Sequence, residues 1–161
     1  RIQVEHPVTE MCTGTDLVAM QLKLAQRDLE PVKQESITHQ GHAIECRIYA
    51  ENPDKNFMPS PGPLKRFKLP DEAHDTRIDC GFQEGDKVTF FYDPMIAKVI
   101  CHAETRKQAI ERMLQALDEI EIEGVKTNTK FLISCLKDKS FVSGKVSTGF
   151  IDKRLPELIN G

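Results

Sequence analysis

Two hydrophobic periodicities divide the chain. In residues 42–51, Ala43, Cys46 and Ile48 stand against Glu45 and Arg47, with Tyr49 near the end, and the alternation predicts a strand. Leu64–Leu69, Thr76–Cys80, Val88–Tyr92 and Met95–His102 read as further short strands. The proline-rich stretch Asn52–Pro63, then Gly81 and Gly85-Asp86, supply the turns between them. After His102 the period changes. Ile110, Met113, Leu114 and Leu117 recur at helical spacing behind a Thr105–Gln108 capping box. Ile120 and Ile122 alternate with glutamates and predict a brief strand that ends at Gly124. Asn128 is placed to cap a second helix carrying Phe131, Leu132, Cys135 and Leu136, and residues 148–159 read as weakly helical around Pro156. Strands joined by tight turns, followed by helices, point to an α+β fold with a mainly antiparallel sheet and C-terminal helices.

The first five residues also alternate. Arg1, Gln3 and Glu5 interleave with Ile2 and Val4, and His6-Pro7 follows. The pattern predicts a strand that ends at Pro7, with the three polar side chains on one face and Ile2 and Val4 turned to a core. A cation, an amide and a carboxylate on one face suit a small planar oxyanion and its deprotonation. An amphipathic strand with a solvated polar face fits the same pattern. Met11–Gly14 reads as a connection, Thr15 as a helix cap, and residues 17–25 as a helix whose wide apolar face is expected to pack on a sheet outside this chain. The polar stretch Arg27–Gln40, with Pro31, separates residues 1–35 from residues 36–161.

Composition narrows the function classes. A net charge of −3 without a basic run argues against nucleic acid as partner. No apolar run approaches the roughly 20 residues of a membrane helix, and no signal-peptide pattern is present. The five cysteines contain no CxxC pair and read as small buried hydrophobes of a reducing compartment, a cytoplasm or a mitochondrial matrix. His39, His42, His74 and His102 lack metal-ligand spacing, so no metal site is expected. Lys98 alternates out of an apolar strand and is expected to snorkel to solvent, and Glu119, Glu121 and Glu123 to form a solvated face.

Separated blocks carry a resemblance. Arg1–Glu10 (RIQVEHPVTE), Gly41–Glu51 (GHAIECRIYAE), Asn56–Gly62 (NFMPSPG), Tyr92–Lys98 (YDPMIAK) and Gly124–Asn128 (GVKTN) together resemble biotin carboxylases. These are the ATP-dependent components of acetyl-CoA, propionyl-CoA, methylcrotonyl-CoA and pyruvate carboxylases. The resemblance implies a fragment: residues 1–35 as the last strand and helix of an ATP-grasp domain, and residues 36–161 as the biotin carboxylase C-terminal domain. It implies that Arg1, Gln3 and the Val4 amide bind bicarbonate, that Glu5 is the general base, and that Arg47 stabilises the enolate of biotin. On spacing alone, Arg47 is equally a solvated strand arginine or a partner of Glu45 or Glu51.

Supporting roles fall to Asp93, which an Asx-Pro turn explains as well, and to His6. The implied cofactors are ATP and Mg2+, with sites mostly upstream of Arg1, and biotin on a carrier protein or domain. The implied partners are that carrier, a carboxyltransferase and a second copy of the subunit. The fragment alone is expected to be inactive. The sequence between Asn56 and Phe67 fits the acyl-CoA group slightly better, with the same region of pyruvate carboxylase as the alternative. A non-catalytic interaction domain that kept only the fold is the alternative of a different class.

Overall fold

The computed structural model describes residues 1–160. Its centre is a three-stranded antiparallel sheet in the order β1 (His42–Tyr49), β8 (Met95–Ala103), β6 (Thr76–Cys80). Three short ladders surround it. They pair β2 (Glu51–Asn52) with β3 (Met58–Pro59), β4 (Gly62–Pro63) with β7 (Lys87–Val88), and β5 (Arg66–Lys68) with β9 (Glu121–Glu123). All four sheets are antiparallel, so the α+β reading stands.

One face of the central sheet makes the main core. Ile44, Cys46 and Ile48 stand opposite Cys101, Val99 and Ala97. Helix α3 (Arg106–Asp118) closes this layer with Ala109, Ile110, Met113, Ala116 and Leu117. Burial of each large side chain here is worth about 1.5–3 kcal/mol. The α3 cap forms as its sequence predicts: Gln108 N–H donates to Thr105 Oγ1, and the Thr105 N–H donates to Gln108 Oε1. A smaller cluster joins α4 (Thr129–Lys137) to α6 (Phe150–Asn160) through Phe131, Cys135 and Leu158, with Phe57 edge-on to Phe131 at 5.0 Å. The short helix α5 (Lys139–Val142) links them.

Several expectations are corrected. Residues 1–5 form no strand, for no ladder pairs with them among the described residues, and alternation alone does not make one. His6-Pro7 opens a helix rather than closing a strand: α1 spans His6–Thr13 with Pro7 in its first turn, where its missing N–H costs nothing. Met11–Thr13 thus belong to α1, which ends on left-handed Gly14. Val4 is 40% exposed, not turned to a core. Helix α2 (Leu17–Ala25) is capped by Asp16, whose Oδ1 accepts from Ala19 N–H at 2.8 Å, while the Thr15 hydroxyl pairs with Thr13. Val18, Leu22 and Leu24 of α2 are exposed.

Within β1 the register puts Ala43 on the face of Glu45 and Arg47, with Ile44 taking the core position. The strand expected over Val88–Tyr92 stops at Val88, and Phe90, Phe91 and Tyr92 are exposed in the loop before β8. Of Leu64–Leu69, only Arg66–Lys68 is strand.

Candidate active site

The second face of the central sheet is polar, and alternation decides which residues it carries. Arg47 stands opposite Lys98, and Lys98 opposite Asp79, so three charges share one rung across β1, β8 and β6. Two residues along each strand, Glu45, Ile100 and Arg77 form another rung on the same face. The charges pair across and along the strands. Lys98 Nζ lies 2.8 Å from Asp79 Oδ2, and Arg77 donates from Nε to Asp79 Oδ1 at 2.7 Å and from Nη2 to Oδ2 at 3.1 Å.

The N-terminal segment docks on this face through three polar contacts. Arg77 Nη1 donates to Glu10 Oε2 at 2.6 Å, and the buried Glu10 spends its other oxygen on Leu17 N–H. Lys98 Nζ donates to the Val4 carbonyl at 3.4 Å. Arg47 Nη2 donates to Glu5 Oε2 at 3.2 Å, while Arg47 Nε donates to Glu45 Oε1 at 3.1 Å. Arg47 therefore lies between two carboxylates from segments 40 residues apart in sequence, one in a strand and one in a turn before α1.

Burial sets the electrostatics. It pushes the Glu45 carboxyl upward, against the hydrogen bond from Arg47 and the charge of Lys98. Burial also opposes the charge of Arg47, but Glu45 and the Tyr49 hydroxyl outweigh it and hold the guanidinium more firmly protonated than usual. Asp79 is held below the ordinary carboxylate range: burial would raise it, and Arg77 and Lys98 more than compensate.

The sequence-predicted residues separate into those that meet and those that do not. Among the described residues, only Glu5 and Arg47 of the Arg1, Gln3, Glu5 and Arg47 set bond to each other. Arg1 lines an apolar groove of about 350 Å³ with Ile2, His6, Leu17, Met20 and Leu24. Gln3 is exposed, and its backbone N–H donates to His6 Nδ1 at 2.7 Å, so His6 ties the turn that precedes α1. Asp93 does not hold Arg47; its Oδ1 accepts from Met95 N–H at 2.8 Å, an Asx turn into β8. Lys98 does not snorkel. Its side chain is only 16% exposed and pairs with Asp79, because the strand beside it supplies the counter-charge. Glu121 likewise pairs, with Arg66 and Lys68.

Sequence reasoning did not single out Glu10, Arg77 or Asp79, and it read the buried Asn128 only as a helix cap, a bond its side chain does not make. Arg77 and Asp79 carry the same i, i+2 signal as Glu45 and Arg47, whereas Glu10 and Asn128 act only through distant partners.

The comparisons with known proteins agree along the chain. The family "Biotin carboxylase C-terminal domain" matches residues 45–153, and "Carbamoyl-phosphate synthase L chain, ATP binding domain" matches residues 1–30. The chain belongs to the biotin carboxylase C-terminal domain family. It is similar to biotin carboxylase 1 of Bacillus subtilis, 50% identical over 152 residues, which covers 94% of this chain and 34% of that protein. It is similar to the mitochondrial methylcrotonoyl-CoA carboxylase subunit alpha of Rattus norvegicus, 46% identical over 159 residues, 99% of this chain and 22% of that one.

Among solved structures, the biotin carboxylase domain dimer of Hydrogenobacter thermophilus 2-oxoglutarate carboxylase, in complex with MgADP, ADP and bicarbonate, superposes with a TM-score of 0.94 at 42% identity. That match covers 99% of this chain and 35% of that one. The chain thus spans between 22% and 35% of the length of these relatives.

Proposed function

We propose that this chain is the C-terminal part of a biotin carboxylase, an ATP-dependent ligase that carboxylates carrier-bound biotin with bicarbonate in an acyl-CoA carboxylase. Residues 1–35 belong to its ATP-grasp unit and residues 36–161 to its C-terminal domain. The observation that carries this reading is the Glu5–Arg47 pair at 3.2 Å, which joins the two motif blocks across the sheet face.

Arg1, Gln3 and the Val4 amide hold bicarbonate, and Glu5 takes its proton. Arg47 faces biotin and stabilises the negative charge that develops on the ureido oxygen when the neighbouring nitrogen loses its proton. A guanidinium suits this task because it stays charged and presents donors in a fixed plane. ATP, when bound, supplies the activation of bicarbonate. The nucleotide and its Mg2+, which is typically held by one or two carboxylates together with phosphate oxygens and water, are assigned on the family resemblance mostly to the part of the ATP-grasp unit upstream of Arg1.

The partners that follow are a biotin carrier protein or domain, a carboxyltransferase and a second copy of the subunit, in a bacterial cytoplasm or a mitochondrial matrix. No helix of the described residues is long and apolar enough to cross a membrane.

The test is bicarbonate-dependent ATP cleavage and carboxylation of free biotin by the full-length protein. Wild type is expected to do both, and Arg47→Met or Glu5→Gln to lose biotin carboxylation. The 161-residue chain on its own is expected to do neither. ATP cleavage by the isolated chain, or full activity of either variant, overturns the reading.

A further inference from the structure

The Nε and Nη2 hydrogens of an arginine project from the same edge of its plane, at a spacing that matches the two oxygens of one carboxylate. In Arg47 that edge is divided. Nε goes to Glu45 Oε1 and Nη2 goes to Glu5 Oε2. The consequence falls on Glu45. Its side chain is only 5% exposed, and its Oε2 has no hydrogen-bond partner among the described residues. A buried carboxylate oxygen without a donor is costly, so this arrangement favours any donor that can reach it.

The two carboxylates differ in freedom. Glu45 is fixed in the body of β1, opposite Ile100 of β8. Glu5 sits in a turn, and its side chain is 56% exposed.

We propose that Glu45 is the positioning residue of the Arg47 site and the alternate acceptor for Nη2: when Glu5 lets go, the Nε–Nη2 edge of Arg47 closes on both oxygens of Glu45. The inference rests on the functional reading given above. In that reading Glu5 takes a proton from bicarbonate, and a protonated carboxyl is a poorer acceptor for Nη2. The proton passes from bicarbonate to Glu5, and Glu45 neither gains nor loses one. Glu45 keeps the guanidinium plane in place at that moment, so the cation neither follows Glu5 nor swings into solvent while charge develops on biotin. Glu45 touches no substrate in this scheme and acts only through Arg47.

Two experiments test it on the full-length carboxylase. The first is a crystal structure of Glu5→Ala. Arg47 Nε and Nη2 are expected on the two oxygens of Glu45, each at about 2.9 Å. A guanidinium that leaves Glu45, or that keeps Nε alone on it, overturns the proposal whatever the enzyme does. The second is steady-state kinetics of Glu45→Gln, which keeps shape and burial but removes the charge. The turnover of biotin carboxylation is expected to fall about tenfold or more, with the KM for bicarbonate and ATP changed less than about threefold. Glu45→Asp, which keeps the charge, is expected to recover part of the turnover. Unchanged turnover in Glu45→Gln overturns the proposal, as does a loss in which Glu45→Asp is no better. Should wild type fail to carboxylate biotin, the functional reading falls instead, and the Glu5→Ala structure still decides the role of Glu45. That structure also decides it should Glu45→Gln not fold.

Discussion

Asn128 closes on the backbone of Arg47 from outside the sheet. Its Nδ2 donates to the Arg47 carbonyl at 3.0 Å, and its Oδ1 accepts from the Tyr49 N–H, two residues on along the same strand edge, at 2.9 Å. Strand β1 is an edge of the central sheet, so these two backbone groups have no strand to pair with on that side. The amide, 4% exposed, completes the ladder in place of a strand. Gly124 lies four residues before Asn128. Its φ of 100° turns the chain after β9 against Pro63, where a Cβ would collide with the Pro63 carbonyl.

Replacing Asn128 by Ala therefore strips two buried hydrogen bonds and strands a donor and an acceptor. The expected loss is about 2–4 kcal/mol in a urea unfolding titration. Asn128→Asp keeps the acceptor for Tyr49 but sets an oxygen against the Arg47 carbonyl, so it is expected to be at least as damaging. A change under about 0.5 kcal/mol in Asn128→Ala would show that the contact carries no weight.

Arg47→Lys tests the fork rather than the charge. A lysine ammonium is a point donor on a flexible stem and cannot meet Glu45 and Glu5 from one rigid plane. In the full-length enzyme, turnover with biotin is expected to fall about 100-fold, the scale for removing one preplaced donor from a developing oxyanion. Stability is expected to change little, because the side chain is 37% exposed. Near-normal turnover would remove Arg47 from the site.

Much of the architecture was legible because its signals are local. The Thr105–Gln108 box and the i, i+3, i+4 spacing behind it define α3, and alternation with tight turns defines β1, β6 and β8. The failures have a common physical cause. Arg1–Glu5 alternates as a strand would, but strands exist by pairing, and the Pro7 signal read as a stop is equally a helix start. Lys98 looked solvent-bound because Asp79, its neighbour across the ladder, is 19 residues away in sequence. Asn128 looked like a cap because a sequence shows the helix it precedes and not the strand edge it meets. At the site, the pairing of Glu45 with Arg47 was legible from their spacing, and the arrival of Glu5 at the same guanidinium was not.

The cysteines give a chemical check on the core. Burial pushes the Cys101 and Cys135 thiols up to about 11, and that of Cys46 higher still. Cys12, also buried, is raised as well by burial. Cys80 is the exposed one. Iodoacetamide at pH 8 needs both access and thiolate. Mass spectrometry of the native chain is expected to find Cys80 alkylated first and the other four only after unfolding. Rapid labelling of Cys46 or Cys101 in the native state would contradict the packing of β1 against β8.

The charged rung predicts an acid-sensitive dock for the N-terminal segment. Asp79 is held low by Arg77 and Lys98, and Arg77 in turn holds Glu10 of α1. A carboxyl whose folded pKa lies below its unfolded value binds protons more readily when unfolded. Its stabilising contribution is therefore full above the ordinary aspartate value of about 3.9 and is lost as the pH falls through the lower, folded value. Asp79→Asn lacks that contribution at every pH. The melting temperature of wild type is thus expected to exceed that of Asp79→Asn at pH 7, and the gap to narrow as the pH is taken below about 4. Hydrogen exchange in α1 should quicken in the variant at pH 7, because Arg77 loses the carboxylate that fixes it toward Glu10. A gap that stayed constant from pH 7 to pH 3 would mean that the charge on Asp79 does not hold this face together.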